Sequence, residues 1–492
     1  MHIKNLKRGA SRRLLSSILL CFLLSGCMVG PNYHKTFFSV PSKWGQKSAQ
    51  ISGQSIALAG WWRRLNDPVL NALIDQAISG NNDVAIAKAR VREARASLGK
   101  VVGSLLPSAS NTISGTRSGS GQSDTLSQYR SGFDASWELD FFGGHKRGVE
   151  AARYGLEATV EDMRATMVVL LGDVATNYVQ MRGWQQKLLI VRQIAAAQRK
   201  TYELMRAKLA AGDISGLDAS NAQAQVANTE ADIAQMEANL EMSMHRLSVL
   251  TGHVPTALRN LLQKNAKHMK IPQPQWPIPA GIPADILLSR PDLRRAERQY
   301  AQATARIGQR EAERYPSLTL TGKILTSATA IDQLWKSSTI GWSFGPGLSF
   351  PFFNGGQMVA SIAVARAQRD QAFITYRSAV LSALEDVENA LVRLIKEHQR
   401  LEKLVVANKA FLHSLQLSRS LFENGNISFL ELLNADRSYY SAQMALKDSR
   451  IALATQYIAL MKALGGGWDG VVDVSRPEVV DGVSHSLAKV GQ

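Results

Sequence analysis

The feature that most constrains this chain is an internal duplication that runs through most of its 492 residues. Phe141–Gly144 recurs as Phe352–Gly356, and Gly212 and Gly425, which are 213 residues apart, begin two similar turns. The repeats of solenoid proteins are far shorter, about 20 to 50 residues. The sequence therefore predicts two copies of one large structural unit rather than a stack of small modules.

Long helices are predicted inside each copy. Residues 108–254 and 352–476 contain no proline, which would interrupt a helix. Within them, apolar residues recur about every 3.5 to 3.6 residues, the spacing of amphipathic helices and coiled coils. We expect helices at about 144–210 and 356–423, each roughly 100 Å long at ~1.5 Å per residue. Helices of this length do not fit inside a compact globular domain.

Short segments of alternating polarity lie between the predicted helices. In the clearest one, Trp342, Phe344 and Leu348 alternate with glycine or serine, as in a strand with one apolar face. The predicted strands are 133–139, 318–324, 340–350 and, with weaker alternation, 108–117. A tilted strand of about ten residues crosses a bilayer, but a soluble hairpin packed on one face gives the same alternation.

Four strands per chain cannot close a membrane barrel, because an open edge in lipid leaves backbone groups without hydrogen bonds. A barrel built from this chain therefore requires several copies, and three copies would supply twelve strands. The number of copies does not follow from the sequence.

The N-terminus has the pattern of a secretory signal. Residues 1–27 contain five basic residues and no acidic residue, and an apolar run from Leu14 to Leu24 is shorter than the roughly 20 residues of a transmembrane helix. The segment Leu24-Ser25-Gly26-Cys27 resembles the lipobox of bacterial lipoproteins, which predicts that Cys27 carries a diacylglyceryl group and an N-acyl chain. An ordinary signal peptide with a chance cysteine is the alternative. Cleavage before Cys27 would leave it as the only cysteine, so the sequence predicts no disulfide.

Composition and motifs argue against several other classes of protein. The net charge of +17 is spread along the chain, which argues against specific nucleic-acid binding. The sequence lacks the H-E-x-x-H, C-x-x-C and phosphate-loop motifs, and its nine histidines include no pair at helical metal-site spacing. We therefore expect no catalytic residue, no metal site and no cofactor besides the lipid on Cys27. Met236, Met242 and Met244 are consistent with copper handling, but packing is the favoured role.

Several motifs, in one consistent order, resemble those of the outer-membrane factor family, the TolC-like exit ducts. Within that family they resemble the lipoprotein branch, the NodT-type proteins, which serves resistance-nodulation-division (RND) efflux pumps. The motifs are Cys27–Tyr33, Trp61-Trp62, Asp67–Leu70, Asn81–Asp83, Ser289–Glu297 and Ala463–Trp468. Thr36 stands where the family more usually has proline. The resemblance covers nearly the whole chain after Cys27.

The resemblance implies a mainly α fold with membrane β structure. In such a homotrimer, four strands per chain form one 12-stranded outer-membrane barrel and the long helices form a periplasmic α-barrel. The implied partners are a periplasmic adaptor (membrane fusion) protein, an inner-membrane RND pump and outer-membrane lipid. Met28 follows the lipidated cysteine in place of the aspartate that commonly retains lipoproteins in the inner membrane, which favours the outer membrane.

The implied function is a passive exit duct for small molecules such as drugs or toxic compounds. The alternatives are a lipid-anchored periplasmic helical scaffold or adhesin, and an exit duct for type I protein secretion. The predicted organisation is a lipoprotein signal peptide (1–26), a lipidated N-terminal segment (27–67), repeat 1 (68–254), an inter-repeat equatorial segment (255–282), repeat 2 (283–468) and a C-terminal tail (469–492).

Gate residues are also implied by the resemblance. Leu430 corresponds to the constricting leucine of the periplasmic gate, with Glu431 and Arg437 as nearby charges. Asn434 occupies a position where relatives often have aspartate, so this chain lacks that fixed negative charge. A helix-packing leucine and a solvated helix face are the alternatives for Leu430 and for the two charged residues, respectively. The helix-turn tips, at Gly212, Asp213, Gly425 and Asn426, are the predicted adaptor contacts.

Overall fold

The computed structural model describes residues 28–36, 38–41, 44–45, 51–52, 58–119, 121, 125–264, 270–279, 289–467 and 473–475. Cys27, the predicted signal peptide, Trp468 and all of the predicted tail except 473–475 lie outside the described residues. The described chain divides into two compact units. The first comprises described residues within 1–37, 90–160 and 295–378, and the second those within 38–89, 161–294 and 379–492. Each sequence repeat contributes to both units.

Helices account for most of the described structure, and the strands lie between them in the sequence. The helices are α1 (Pro68–Gly80), α2 (Asn82–Gly103), α3 (Gly144–Ala210), α4 (Gly216–Leu250), α5 (Pro291–Ala312), α6 (Gln357–Glu423) and α7 (Phe429–Ala463). The strands are β1 (Ser108–Ser118), β2 (Leu126–Leu139), β3 (Ser317–Ala328) and β4 (Ile340–Ser349). A one-turn helix (Arg259–Gln263), three 3-10 turns and a two-residue parallel pair, Ile51–Ser52 with Ile278–Pro279, complete the described elements.

The long helices predicted from apolar periodicity are confirmed. Helices α3 and α6 each contain 67 residues, and their partners α4 and α7 each contain 35. The two repeats therefore form two helical hairpins of equal dimensions, hairpin 1 (α3 and α4) and hairpin 2 (α6 and α7). No helix in the described part of the chain combines the length and the apolar character needed to cross a membrane.

The four strands form one antiparallel sheet in the order β1-β2-β3-β4. The register places Phe133 opposite Ile324, and Ile324 opposite Trp342, so these apolar side chains share one face. The other face is polar and includes an ion pair between Lys323 and Asp134, whose charged atoms are 3.4 Å apart. The weakly predicted strand near 108–117 is present as β1, and β2 and β3 are longer than predicted.

The segment that follows Cys27 is held in the first unit by a buried arginine. Arg147, at the start of α3, donates hydrogen bonds from Nε to the carbonyl of Val29 (3.1 Å) and from Nη2 to the carbonyl of Gly30 (3.1 Å) and Asn32 Oδ1 (2.7 Å). A Cβ atom at Gly30 would lie 2.3 Å from Gly308 Cα, so only glycine allows this close approach. These contacts explain why glycine and asparagine occur at positions 30 and 32 of the motif that begins at Cys27.

A second buried network lies in the core of the second unit. Tyr178 donates a hydrogen bond to Asp67 Oδ2 (2.8 Å) and accepts one from Arg182 Nε (2.9 Å), while Arg182 Nη1 donates to Gln185 Oε1 (2.7 Å). Burial raises the pKa of Tyr178, which therefore remains a neutral donor. Asp67 also caps α1, because its Oδ1 accepts from the backbone N–H of Val69 at 2.9 Å.

Two further motifs named in the sequence analysis, which begin at Ser289 and at Ala463, contact each other in the same unit. Arg290 donates a hydrogen bond to the carbonyl of Ala463 (2.6 Å), and it forms two more with Asp292 (3.0 and 2.8 Å). Burial opposes ionisation of Asp292, but the hydrogen bonds and charge of Arg290 dominate and lower the pKa of this carboxyl group. A Cβ atom at Gly467 would lie 2.6 Å from Leu171 Cδ1, so the closing glycines allow the chain to pack tightly. These motifs are thus structural contacts of one core.

We expect Tyr178→Phe to destabilise the protein by about 1–3 kcal/mol, because it leaves Asp67 and Arg182 buried with fewer hydrogen bonds. The measurement is the midpoint of thermal unfolding in detergent. Tyr457→Phe is the matched control, since the Tyr457 hydroxyl makes a longer bond, 3.3 Å, to the carbonyl of Trp61. Equal losses in the two variants would show that the Asp67–Arg182 network adds no stability of its own.

Candidate functional site

The two helix-turn tips have the same backbone hydrogen bonds. The N–H of Asp213 donates to the carbonyl of Lys208 (2.9 Å), and the N–H of Asn426 donates to the carbonyl of Leu421 (2.8 Å). Gly212 and Gly425 have φ values of +79° and +73°, in the left-handed region that favours glycine. Both tips therefore end their helices in the same left-handed turn, and the predicted tip residues lie exposed at its surface.

Serine residues begin the second helix of each hairpin. Ser215 caps α4 and Ser428 caps α7, each accepting a hydrogen bond from the backbone N–H three residues later. Glu431 completes a capping box, because its carboxylate accepts from the backbone N–H of Ser428 at 2.9 Å. The structure thus gives Glu431 a local role in starting α7, a role that its position in the gate motif did not suggest.

Leu430 and its equivalent in the first repeat have similar surroundings. Leu430 and Leu217 are 213 residues apart, each is the second residue of its helix, and both side chains are exposed. The neighbouring Phe429 and Leu433 are buried instead, in a small apolar cluster with Met205 and Ala222. The cluster joins α3, α4 and α7, and it leaves Leu430 outside the packed interior of the hairpins.

Arg437 connects the two hairpins. Its Nε donates a hydrogen bond of 2.8 Å to Gln225 Oε1 on α4, across 212 residues of sequence. Asn434 is exposed, and its backbone carbonyl accepts from the Ser438 hydroxyl at 2.8 Å. The structure therefore places Arg437 in a contact between the hairpins, and it places Leu430 and Asn434 on the surface of α7.

Further contacts between α7 and hairpin 1 were not predicted from the sequence. Tyr440 donates to Asp232 Oδ2 on α4 at 2.8 Å, and Asp436 Oδ2 accepts from Gln198 on α3 at 2.8 Å. Nearer the end of α7, Lys187 of α3 forms an ion pair with Asp448. We name these three contacts and the Arg437–Gln225 bond the α7 cross-links.

Burial, together with the hydrogen bond to Asp232, raises the pKa of the Tyr440 phenol, so Tyr440 acts as a neutral donor. The paired residues of the cross-links are more than 200 residues apart in sequence, and no local pattern indicates them. Only the capping box of Ser428 and Glu431 has a local signal, serine followed three residues later by glutamate.

Two cavities lie beside the cross-links. One has a volume of about 520 Å³, and its lining includes Ile194, Leu415, Arg419, Asp436 and Tyr439. The other is about 30 Å³, room for one or two water molecules, and Gln198, Arg419 and Asp436 contribute to its lining. Gln198 Oε1 is buried without a hydrogen-bond partner in the described structure. The hairpins are therefore incompletely packed at this level.

The described residues contain no group of three or more histidine, cysteine, aspartate or glutamate side chains arranged to hold a metal ion. Met244 is buried in the main core of the second unit, whereas Met242 is exposed.

The family model described as outer membrane efflux protein matches residues 73–253 and 282–466. Nodulation protein T of Rhizobium leguminosarum bv. trifolii is 34% identical over 91% of this chain and 96% of its own length. Cation efflux system protein CusC of Escherichia coli O6:H1 is 30% identical over 90% of this chain and 96% of its own length.

Solved structures have the same fold. The outer-membrane channel OprN has a TM-score of 0.82 at 31% identity, covering 90% of this chain and all of that chain. The MtrE outer membrane channel of Neisseria gonorrhoeae, solved in an open state, has a TM-score of 0.79 at 29% identity and covers 90% of this chain and 99% of its own. The resemblance to TolC-like channels is thereby confirmed, as is the location in the outer membrane with a periplasmic helical part. This chain belongs to the outer membrane efflux protein family.

Proposed function

We propose that three copies of this protein form the outer-membrane duct of a tripartite efflux system. Each copy contributes four strands to one 12-stranded barrel, and its hairpins contribute to a helical tube in the periplasm. An RND pump in the inner membrane delivers small molecules through an adaptor, and the duct conducts them passively. The protein has no chemical step to catalyse, because the pump supplies the energy.

The observation that carries this proposal is the polarity of the sheet. Its apolar face is exposed, and Trp342, for example, has 79% of its side-chain surface accessible. Such a face is unfavourable in water and suits lipid, while the opposite face, with Lys323 and Asp134, suits an aqueous pore. Among the described residues, the edge strands β1 and β4 each pair with a strand on one side only, so pairing β4 of one copy with β1 of the next would satisfy both edges.

The periplasmic scaffold or adhesin fits this observation poorly. A soluble sheet with one apolar face requires protein packed against that face. Here the outward side chains of Phe344, Trp342 and Leu348 are all exposed. The type I secretion alternative shares the fold and differs only in cargo, and no contact of the described residues favours a protein cargo.

The α7 cross-links support a gate at the periplasmic end. They attach α7 to hairpin 1, so loosening them would let hairpin 2 move outward and widen the tube. A hydrogen bond contributes about 0.5–1.5 kcal/mol and an ion pair near the surface about 0.2–1 kcal/mol, so together the four contacts hold the closed state by a few kcal/mol. An adaptor that binds the open state more tightly by a similar amount would open the duct.

The helix-turn tips are the proposed site for that adaptor. No atom of the described residues lies within 4 Å of the Cβ position at Gly212 or Gly425, so the turns have free space for a partner backbone. Asp213 and Asn426 beside them are exposed; the Asp213 carboxylate can accept hydrogen bonds, and the Asn426 amide can both donate and accept them. The equal geometry of the two tips would present two similar sites per copy.

Lipidation of Cys27 is the proposed anchor. Met28, the next residue, packs against Gly143, just after the end of β2. Together with the Arg147 contacts, this packing holds the start of the mature chain beside the sheet. The acyl chains would thus enter the same membrane as the strands.

We expect Leu430→Ala to raise the single-channel conductance in planar bilayers several-fold, because the ring of three leucines narrows the pore. Leu217→Ala is the matched control, since it makes the same change at the equivalent exposed position of the first repeat. An effect of equal size in both variants, or in neither, would place the constriction elsewhere.

We expect Arg437→Ala and Tyr440→Phe each to raise the fraction of time that the channel is open. A loss of about 1 kcal/mol shifts an opening equilibrium roughly five-fold. Arg192→Ala serves as control, because the Arg192–Glu237 ion pair, at 2.5 Å, joins α3 and α4 within hairpin 1. Recordings in which Arg192→Ala opens the channel as much as the other two would contradict a role specific to the cross-links.

We expect the mature protein to carry lipid at Cys27 and Cys27→Ala to lose it. Metabolic labelling with a palmitate analogue and the mass of the N-terminal peptide measure this directly. Labelling that persists in Cys27→Ala would show that the anchor is attached elsewhere.

A further inference from the structure

The outward, apolar face of the sheet is uncovered over most of its height and covered at one end. Phe133 and Ile324 are 62% and 58% exposed. Farther from the helices on the same face, Ser131 and Thr326 are each only 5% exposed, and Ala328 is 8% exposed. Some part of the chain therefore lies against the outside of the sheet at the end remote from α3.

The covering segment is the β3–β4 loop, residues 329–339. The Thr326 hydroxyl, on the outward face, donates to the backbone carbonyl of Leu334, and Leu334 is itself buried. Thr339 Oγ1 lies 2.9 Å from Thr326 Oγ1 and donates to the carbonyl of Lys336 at 2.8 Å. These hydrogen bonds hold the loop folded back against the outward face of the sheet rather than extended beyond the ends of the strands.

The folded loop presents an amphipathic surface. Ile331 and Trp335 are 68% and 74% exposed, and the neighbouring Lys336 is exposed as well. Asp332 balances the charge of Lys336, so the two apolar side chains provide the main attraction to any partner. Indole and ammonium groups side by side are typical of the boundary between lipid headgroups and acyl chains.

We propose that the β3–β4 loop is a membrane-interface foot that binds the phosphate-bearing lipid headgroups of the outer leaflet. Trp335 and Ile331 lie at the level where the acyl chains begin, and the Lys336 ammonium group contacts a lipid phosphate. The inference rests on the proposed function, in which this face of the sheet meets lipid and the helices lie in the periplasm.

The height of the loop agrees with this assignment. From Leu318 to Thr326 the strand rises by eight residues, about 26 Å along its axis, or roughly 20 Å across the membrane at a tilt near 40°. The apolar band of an outer-membrane barrel is about 25 Å tall. The loop therefore lies where the hydrocarbon ends, and its apolar surface continues that of Ile340 and Trp342 on β4.

A fluorescent thiol label tests the depth of the loop. Of the two cysteines, Cys21 lies in the signal peptide and Cys27 is blocked when lipidated, so an introduced cysteine is the one free thiol. We would place it, in separate proteins, at Ile331 on the loop, at Phe344 on the lipid face, which lies opposite Gly322 midway between Leu318 and Thr326, or at Ser343 on the polar face. Each labelled protein is reconstituted in phosphatidylcholine and phosphatidylglycerol vesicles that carry a quencher either near the headgroup or deep in the acyl chains. Wild-type protein treated with the same thiol label shows whether Cys27 is blocked, because a free Cys27 would take up the label.

At Ile331→Cys we expect the shallow quencher to be roughly two-fold more effective than the deep one, and at Phe344→Cys the reverse. Ser343→Cys is expected to escape both quenchers. If the Ile331 label also escapes both while the Phe344 label is quenched, the foot is wrong and the duct stands. This outcome includes a loop covered by a neighbouring copy or free in water. If both labels escape quenching, the sheet is not in lipid, and the proposed function fails together with the inference.

A second set of variants tests the residues themselves. Adding Trp335→Ser and Lys336→Ser to Ile331→Cys is expected to lower shallow quenching roughly two-fold, because the loop loses its hold on the interface. Lys100→Ser is the matched control for the lysine, since Lys100 is exposed on α2, outside the sheet. If shallow quenching of the Ile331→Cys label is unchanged when Trp335→Ser and Lys336→Ser are added, the proposed roles of Trp335 and Lys336 are wrong.

Discussion

A sheet whose apolar face points away from the protein cannot be stable alone in water, and this constraint governs the rest of the molecule. Phe133, Ile324 and Trp342 lie on a face that is exposed over most of its height, and among the described residues the β3–β4 loop covers it at one end. The favourable environment for that face is lipid, and lipid in turn requires every backbone group of the strands to be hydrogen-bonded. The edge strands β1 and β4 each have backbone N–H and C=O groups that no described strand pairs with. The chain therefore depends on other copies of itself to complete the sheet.

The core of the second unit shows a different physical logic. There the recognised motifs meet as buried contacts: Asp67 with Tyr178, and Arg290 with Asp292 and the carbonyl of Ala463. A buried arginine is tolerated only where hydrogen bonds replace its lost hydration. The motifs that make the family recognisable are therefore mainly requirements of folding, whereas Asn434 lies exposed on the surface of α7.

Local patterns explain what could be predicted from the sequence. The ends of α3 and α6 were predicted within one residue, because apolar periodicity and the glycine turns are signals within single helices. The weak strand β1 was harder, since Asn111 and Gly115 interrupt its outward face. The α7 cross-links had no local signal at all: Arg437 and Gln225 become neighbours only after both hairpins have formed. The lipidation site and the residue that narrows the pore depend on the lipid and on the other copies, so they stay predictions.

Because the two hairpins have equal lengths, the length of the helical part of the chain is set twice. Arg437 faces Gln225, whose equivalent in the second repeat is Ser438, so the two tips lie at nearly the same level. Shortening one long helix by two turns would displace its tip by about 10 Å relative to the other tip. The residues paired in each cross-link would then be offset by about seven positions. During evolution, the distance that the protein bridges can therefore change only through coordinated deletions or insertions in α3, α4, α6 and α7. A gene duplication thus fixed the length of the tube as well as its architecture.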